Sequence, residues 1–319
     1  MTLPRIAVII VNWNNQADTL ACLGSLLVCQ CPDLDIIVVD NASTDGSADA
    51  ISAKMPQGLM IRNQNNLGFT GGNNIGMKAA FERGADYVFL LNNDAEIAMD
   101  VPETLVEFME NNPEVWATAP MIYYHSQPNV IWSAGGRIDY RRGTAQMLGT
   151  DQIDTNQFGN SPYSVDFATG CALMVRRSAV ERFGLLDDRF FMYYEEVEWC
   201  TRMHAQGLKV VVVPNVKVWH KIIPDSRNES PFVHYLMTRN RLLWVRSKYF
   251  GRQVFWRILL LENLRTLFSW TFRPRWNHKR AQRQAMLQAI MDVFRKRYGP
   301  PKLKNLPKQQ EYLLEGNIQ

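Results

Sequence analysis

The sequence predicts an α/β fold: a mostly parallel sheet flanked by helices, followed by a helical, basic C-terminal extension. Through the first half, short β-branched runs alternate with segments of helical spacing, the pattern of strands joined by crossover helices. Polar, acid-bearing motifs stand where those apolar runs end, which is where ligands bind in an open α/β sheet. The charge divides as well. Residues 1–231 carry 17 Lys and Arg against 27 Asp and Glu, whereas residues 232–319 carry 18 against 4. An acidic body over 1–231 and a basic arm over 232–319 are expected.

Ile6–Val11 is an apolar run of strand length, and Asp35–Val39, Leu59–Arg62 and Tyr87–Leu91 repeat the pattern. Helical spacing fills the intervals at about Ala17–Leu27, Gly46–Ala53 and Gly72–Arg83. Asp100-Val101-Pro102-Glu103 has the form of a helix start, with Asp at the cap and Glu three residues on. From Trp116 to Asn160, Gly, Tyr and polar residues predict irregular strands and loops able to cover a substrate. Val165–Ala168 and Ala172–Val175 read as strands around Thr169-Gly170, and Ser178-Ala179-Val180-Glu181 as a capping box. Val197–Gln206 is helical and stops at Gly207, a residue suited to a left-handed cap. Lys209–Val213 and Val216–Trp219 close the body. From Phe232 helical spacing runs to about Tyr298, broken near Gly251 and Pro274, and a loose tail follows Pro300.

With 46% hydrophobic and 21% charged residues in 319, the composition is that of an ordinary globular protein of one large domain or two. The five cysteines are odd in number and form no Cys-x-x-Cys pair; Cys29-Gln30-Cys31 is too tight for a zinc knuckle. Unpaired thiols of a reducing cytosol are expected. Ile6–Val11 is too short for a signal peptide or a span, and no long uncharged apolar run follows, so a cytoplasmic protein is expected.

Asp40 ends one strand and opens Asn41-Ala42-Ser43-Thr44-Asp45-Gly46-Ser47. Its carboxylate can accept the N3–H of a uracil or thymine; alternatively, Asp40 and Asp45 cap the next helix. In Asn65–Asn74, glycines let backbone N–H groups approach a ligand at a helix start, where partial positive charge favours phosphate. Asn92-Asn93-Asp94 offers two amides and a carboxylate to a divalent cation and diphosphate oxygens. Mg2+ or Mn2+ needs few protein ligands when phosphates and water complete the shell. Tyr193-Tyr194-Glu195-Glu196-Val197-Glu198-Trp199 supplies candidate bases, though acids also suit a helix N-terminus. Glu195 and Glu198 share a helical face and Glu196 points elsewhere. His220 follows another valine-rich strand. Carboxylates and a histidine gathered at strand ends point to an enzyme acting on a nucleotide-activated substrate.

Taken in order, these motifs resemble the family 2 glycosyltransferases, and within them the non-processive rhamnosyltransferase-like branch. They are Val11-Asn12-Trp13-Asn14, Val39-Asp40 through Ser47, Asn66-Leu67-Gly68-Phe69 with Gly72-Asn73-Asn74, Leu91-Asn92-Asn93-Asp94, Thr169-Gly170, Glu195-Glu196 and His220. The resemblance covers about residues 5–250. It implies a GT-A fold, with nucleotide-sugar binding to about residue 115 and the acceptor and catalytic part after it. It also implies a divalent cation, inversion at the anomeric carbon, and a nucleotide-diphosphate sugar donor, dTDP-rhamnose first and a UDP-sugar next.

Carried over by position, Asn12 and Asp40 contact the base, with Asn14 and Asn41 in the same set. Asn73 lies near the base or ribose, Gly68 and Gly72 are among the residues that bind the nucleotide sugar, and Asn92 and Asn93 lie near the diphosphate. Asp94 matches the metal-binding last position of the Asp-x-Asp motif, and His220 the histidine that helps to bind metal or diphosphate. Glu196 matches the Asp of the Glu-Asp motif, the general base, with Glu195 as the other candidate. Arg239, of the pair Arg239-Asn240, is expected at the diphosphate. Two departures stand out: Asn92 replaces an Asp, which lowers the charge around a metal, and Glu196 is one methylene longer than Asp.

The Gln-x-x-Arg-Trp motif and membrane helices of the processive polymerases are absent. The expected acceptor is a saccharide or a polyprenyl-diphosphate-linked glycan in cell-surface polysaccharide synthesis. One alternative is a sugar-nucleotide pyrophosphorylase, which would carry a Gly-rich N-terminal loop with a basic residue where Val11-Asn12-Trp13-Asn14 stands. Another is a catalytically inactive nucleotide-sugar-binding module. The arm mixes Arg with Leu, Phe and Trp between Phe255 and Trp270. It suits an anionic membrane surface at the cytoplasmic face, or a helix packed on the body with a solvated basic face. Nucleic acid is not expected, since no nucleic-acid motif accompanies the charge.

Overall fold

The computed structural model describes residues 4–29, 31, 34–222 and 230–301. Strands β1 (Ile6–Asn12), β2 (Leu34–Asp40), β3 (Leu59–Arg62) and β4 (Tyr87–Asn92) lie in the order β4-β1-β2-β3, all parallel. They fall on the four runs expected from the sequence. β1 is a near-continuous apolar run because both of its faces are covered. Ile6, Val8 and Ile10 share a core with Leu23 of α1 (Gln16–Leu27) and Ile51 of α2 (Ser47–Lys54), while Ala7 and Ile9 join Met77 and Ala80 of α3 (Gly68–Glu82).

α3 begins four residues before the expected Gly72, so the glycines of Asn65–Asn74 lie mostly inside a helix. The reason is packing. A Cβ on Gly72 would stand 2.7 Å from Val11 Cγ1, and one on Gly76 2.4 Å from Ile9 Cγ2. Bare backbone at these positions lets α3 press against β1.

After β5 (Ala95–Ile97) comes α4 (Val101–Asn111), where Asp100 holds the cap position without a side-chain capping bond. The stretch expected to be irregular is largely regular. It holds β6 (Val115–Tyr124), β7 (Gln127–Ser133), the hairpin β8 (Gly136–Asp139) and β9 (Thr144–Met147), then β10 (Gln152–Ile153); the strand expected over Val165–Ala168 is instead β11 (Tyr163–Val165), whose partner is the strand over 209–220. β12 (Ala172–Arg176) pairs antiparallel with β4 and β6. The expected capping box does not form at α5 (Arg177–Phe183): Glu181 pairs with Arg177 at 2.7 Å instead. α6 (Glu195–His204) opens two residues before the expected Val197 and ends ahead of Gly207, whose φ is +77°. β13 (Lys209–His220) is one strand where two were expected. Pairing with β6 carries it through an irregularity at Val213–Lys217, which Pro214 and Asn215 occupy.

In the arm, α7 (Pro231–Val245) precedes a continuous helix over 252–272. That helix is built of α8 (Arg252–Arg257), a π-helical segment Ile258–Leu264 and α9 (Arg265–Phe272); a 3-10 segment Pro274–Lys279 and α10 (Arg280–Phe294) follow. The breaks at Gly251 and Pro274 are those expected. Leu242 and Trp244 of α7 belong to the same hydrophobic core as the sheet, and Trp244 Nε1 donates to Thr201 Oγ1 of α6 at 3.0 Å. The tail expected after Pro300 falls, from residue 302 on, outside the described residues. Among the described residues no disulfide joins any of the five cysteines. Among the described residues no helix is long and apolar enough to cross a membrane.

Candidate active site

The parallel register sets Asn12 opposite Asp40 and Val11 opposite Asn92, which brings three of the expected residues to one edge of the sheet. Asn12 is fully buried there. Its Nδ2 reaches Asp40 Oδ1 (2.8 Å), Ser47 Oγ (2.9 Å) and Ser43 Oγ (3.1 Å), and its Oδ1 lies 2.9 Å from the Thr19 hydroxyl. Asn93 Nδ2 donates to the same hydroxyl at 2.9 Å. A buried amide must be satisfied, and this one is satisfied within the protein. Asn12, expected at the base, holds the Asp40 loop through these bonds.

Two other amides of the expected set are likewise bonded within the protein. Asn41 Nδ2 donates to the Gly68 carbonyl (3.0 Å) and its Oδ1 accepts from Asn63 (2.9 Å), while Asn73 donates to the Phe69 carbonyl (2.9 Å); both residues are buried. Gly68 and Gly72 are required by close packing. A Cβ on Gly68, where φ is +70°, would stand 2.4 Å from the Phe191 carbonyl oxygen. Asp45 accepts the Ser47 N–H at the start of α2 (3.0 Å). Asp40 Oδ2 accepts the Ser43 N–H (2.9 Å), so only two of its roughly four acceptor positions are used. Asn14 has a left-handed φ of 46° and receives the Thr44 N–H at 2.7 Å.

At the neighbouring strand ends His220 stands beside Asp94. Its Nε2 lies 3.0 Å from Asp94 Oδ1 and 3.2 Å from Asn92 Nδ2. The ring is fully buried edge-on to Trp132, with centroids 4.5 Å apart, and Nδ1 has no hydrogen-bond partner among the described residues. Among the described residues no group of three or more His, Cys, Asp or Glu side chains is placed to hold a metal. One carboxylate, one imidazole nitrogen and one amide nonetheless fit a cation that draws its other ligands from phosphate and water.

The acidic helix start is positioned by a strained loop. Phe191, Tyr193 and Tyr194 have φ of 68°, 68° and 72°, a left-handed conformation that costs a non-glycine residue about 1–2 kcal/mol. Partners from α3 and α7 hold it. The Thr70 N–H donates to the Phe191 carbonyl (3.0 Å), and Asn74 bonds Leu186 N–H (3.1 Å), the Leu186 carbonyl (2.8 Å) and Asp188 (2.6 Å). Asn240 Nδ2 reaches the carbonyls of Phe190, Met192 and Tyr193 at 3.0, 2.7 and 2.8 Å. Arg239 is also buried, donating to the carbonyls of Phe190 (2.8 Å) and Gly299 (2.6 Å). The guanidinium of Arg239, expected at the diphosphate, also donates from Nε to Asn240 Oδ1 at 2.9 Å.

This loop delivers Glu195 into the interior and leaves Glu196 half-buried. Glu198 pairs with Arg202 at 2.8 Å. Burial, with the charge of Glu196 adding to it, pushes the Glu195 carboxyl well above its ordinary range; burial pushes Glu196 up to about 7. Oε2 of each is enclosed without a hydrogen-bond partner among the described residues. A Cβ on Gly170 would lie 3.9 Å from Glu196 Cβ, and the next residue, Cys171, accepts the Asn92 N–H at 2.8 Å. Glu196 therefore stands beside the strand edge that carries Asn92. A carboxylate that titrates near neutrality and keeps one oxygen without a protein partner can take a proton at neutral pH. Thr19, Asn74 and Asn240 emerge as supporting residues that spacing could not reveal, since Asn74 meets Leu186 across 112 residues.

The sequence model of Glycosyl transferase family 2 matches residues 7–184. Over 244 residues the chain is 27% identical to a low-salt glycan biosynthesis hexosyltransferase of Haloferax volcanii, covering 76% of this chain and 75% of that one. Over 258 residues it is 23% identical to a dTDP-rhamnosyl transferase of Shigella flexneri, covering 77% and 81%. Over 216 residues it is 25% identical to an N-acetylglucosaminyl-diphospho-decaprenol L-rhamnosyltransferase of Mycobacterium tuberculosis, covering 62% and 70%. In structure it is similar to a mannosyltransferase of Pyrobaculum calidifontis in complex with GDP-mannose and Mn2+, with a TM-score of 0.57, 14% identity, and 91% and 87% of the two chains covered. It is also similar to GalNAc-T7 with UDP, GalNAc and Mn2+, with a TM-score of 0.62, 15% identity, and 94% and 59% covered.

Proposed function

From the premise that the chain belongs to glycosyl transferase family 2 and is a glycosyltransferase of GT-A fold, we propose that it moves one sugar, with inversion, from a nucleotide-diphosphate donor to a polyprenyl-diphosphate-linked saccharide. The observation that carries the reading is Glu196, a base near neutrality beside the strand edge of Asn92 and Asp94. Family membership sets the pyrophosphorylase alternative aside. The names of the rhamnosyltransferase relatives support dTDP-rhamnose as donor and a lipid-linked acceptor. We divide the chain as the charge does, with nucleotide-sugar binding to about residue 115, acceptor and catalysis to 231, and the basic arm beyond, and place the enzyme at the cytoplasmic face of the membrane.

The work of the chain is then as follows. Asp40 accepts an N–H of the nucleotide base. Asp94 and His220, with Asn92, are the residues that would hold a divalent cation, which when bound neutralises charge on the departing diphosphate. Glu196 removes the proton of the acceptor hydroxyl, whose oxygen bonds to the anomeric carbon on the face opposite the leaving group. The bond from that carbon to the diphosphate oxygen breaks, and the configuration inverts.

The test is transfer from dTDP-rhamnose, and in parallel from UDP-sugars, to an N-acetylglucosaminyl-diphospho-polyprenol. Glu196→Gln is expected to lose roughly 10²–10⁴-fold in rate with nucleotide binding intact. Retained activity in that variant overturns the base assignment, and nucleotide binding without transfer from any donor leaves an inactive binding module.

A further inference from the structure

Outside the site, the outer face of the helix over 252–272 has no role in the fold. Its inner side is Val254, Phe255, Ile258, Leu259, Asn263 and Leu267, all buried. Opposite stand Trp256, Leu260, Leu261, Leu264, Phe268 and Phe272, all exposed, the last two at 65% and 68%. In a regular α-helix, residues four apart drift by about 40° per step, so a stripe from 256 to 272 would wind roughly 160° around the axis. The π turns, bonded from i to i+5, hold more residues per turn and take that drift back. The π segment thus keeps the six apolar side chains on one face. So large an exposed apolar surface marks a binding surface.

The charge around it identifies the partner. From Arg252 to Arg283 there are eight Arg and Lys and one acid, Glu262. That acid is already engaged by Arg241 (2.7 Å) and Arg257 (2.9 Å). Leu, Phe and Trp edged by cations suit the boundary between headgroups and acyl chains of an anionic bilayer. We infer that the helix over 252–272 is an interfacial helix that seats the enzyme on an anionic lipid surface through the stripe from Trp256 to Phe272. Behind it a cavity of about 230 Å³ separates Ile258 and Asn263, on the inner side, from Tyr194 and Arg241. Tyr194 directly precedes Glu195, so docking sets the catalytic loop next to the membrane. This deepens the reading of a lipid-linked acceptor, on which its purpose rests, and its test is separable from that reading.

The test is co-sedimentation of the full chain, at low and high salt, with phosphatidylcholine vesicles with and without phosphatidylglycerol. The wild type is expected to bind the anionic vesicles alone. Phe268→Glu/Phe272→Glu is expected to lower that affinity at least roughly tenfold, with thermal stability and nucleotide binding unchanged. Arg273→Glu/Arg275→Glu is expected to lower it about fivefold per charge removed and to flatten the salt dependence. Wild-type protein that ignores anionic vesicles at low salt overturns the inference, as does a stripe variant that binds like wild type. A stripe variant that converts a wild-type dimer to monomers, with no effect on vesicles, assigns the face to a second copy of the chain and also overturns it. Transfer to a water-soluble acceptor distinguishes the two readings: its failure in the wild type counts against the proposed reaction and leaves the vesicle result standing.

Discussion

Replacing Asn240 by Ala removes the amide that reaches the carbonyls of Phe190, Met192 and Tyr193. Arg239 still serves Phe190, so the Met192 and Tyr193 carbonyls are the ones that lose this donor. At roughly 0.5–1.5 kcal/mol net per hydrogen bond, the loss is about 1–3 kcal/mol. Three left-handed residues in the same loop store roughly 3–6 kcal/mol, a strain that persists only while its supports hold. Losing 1–3 kcal/mol of support lowers the population of the productive loop by about 5- to 150-fold. The expected result is a fall in kcat of that size, with nucleotide affinity unchanged in titration calorimetry. The acidic limb of the pH profile should also move down toward the ordinary carboxyl range as Glu196 gains water. Asn240→Asp, close in shape but facing three carbonyls with a carboxylate, should be at least as damaging. A variant with lowered thermal stability but unchanged kcat and pH limb would show that Asn240 supports the fold and not the base.

In the wild type, kcat/KM should rise about tenfold per pH unit to about pH 7 and then level, since Glu196 must be deprotonated to act. Both carboxyls titrate in the folded protein above their ordinary 4.5, so their contribution to stability is full below that pH and is lost as pH rises through the folded values. Glu196→Gln should accordingly melt roughly 2–4 °C above wild type at pH 8 and level with it at pH 5; equal melting at pH 8 counts against the burial of this charge. His220→Ala and Asp94→Ala should each weaken Mn2+-dependent nucleotide binding at least about tenfold and leave metal-free binding unchanged in calorimetry. Gly76→Ala, whose Cβ would meet Ile9 at 2.4 Å, should destabilise by about 1–3 kcal/mol in urea titration. Gly24→Ala on α1 meets nothing within 4 Å and should be neutral or slightly stabilising.

Local chemistry alone determined the parallel half of the fold and the strand ends that form the candidate site. A buried parallel strand must be an apolar run, and a run such as Ile6–Val11 can be recognised without its neighbours. The positions of Asp40, Asp94, Glu196 and His220 were legible because each follows such a run or opens a helix. How each polar residue spends its hydrogen bonds within the protein was decided by the tertiary structure. Asn12, Asn41, Asn73 and Arg239 look like binding residues in one dimension, but burial obliged each to satisfy its polar atoms within the protein. The regular strands of 115–165 and the unbroken β13 were hidden for the same kind of reason, since strand pairing overrides weak local preference. The choice of Glu196 over Glu195 rests on which carboxylate the left-handed turn carries inward. That turn is held by Asn74 and Asn240 from distant helices, contacts that exist only once the chain has folded.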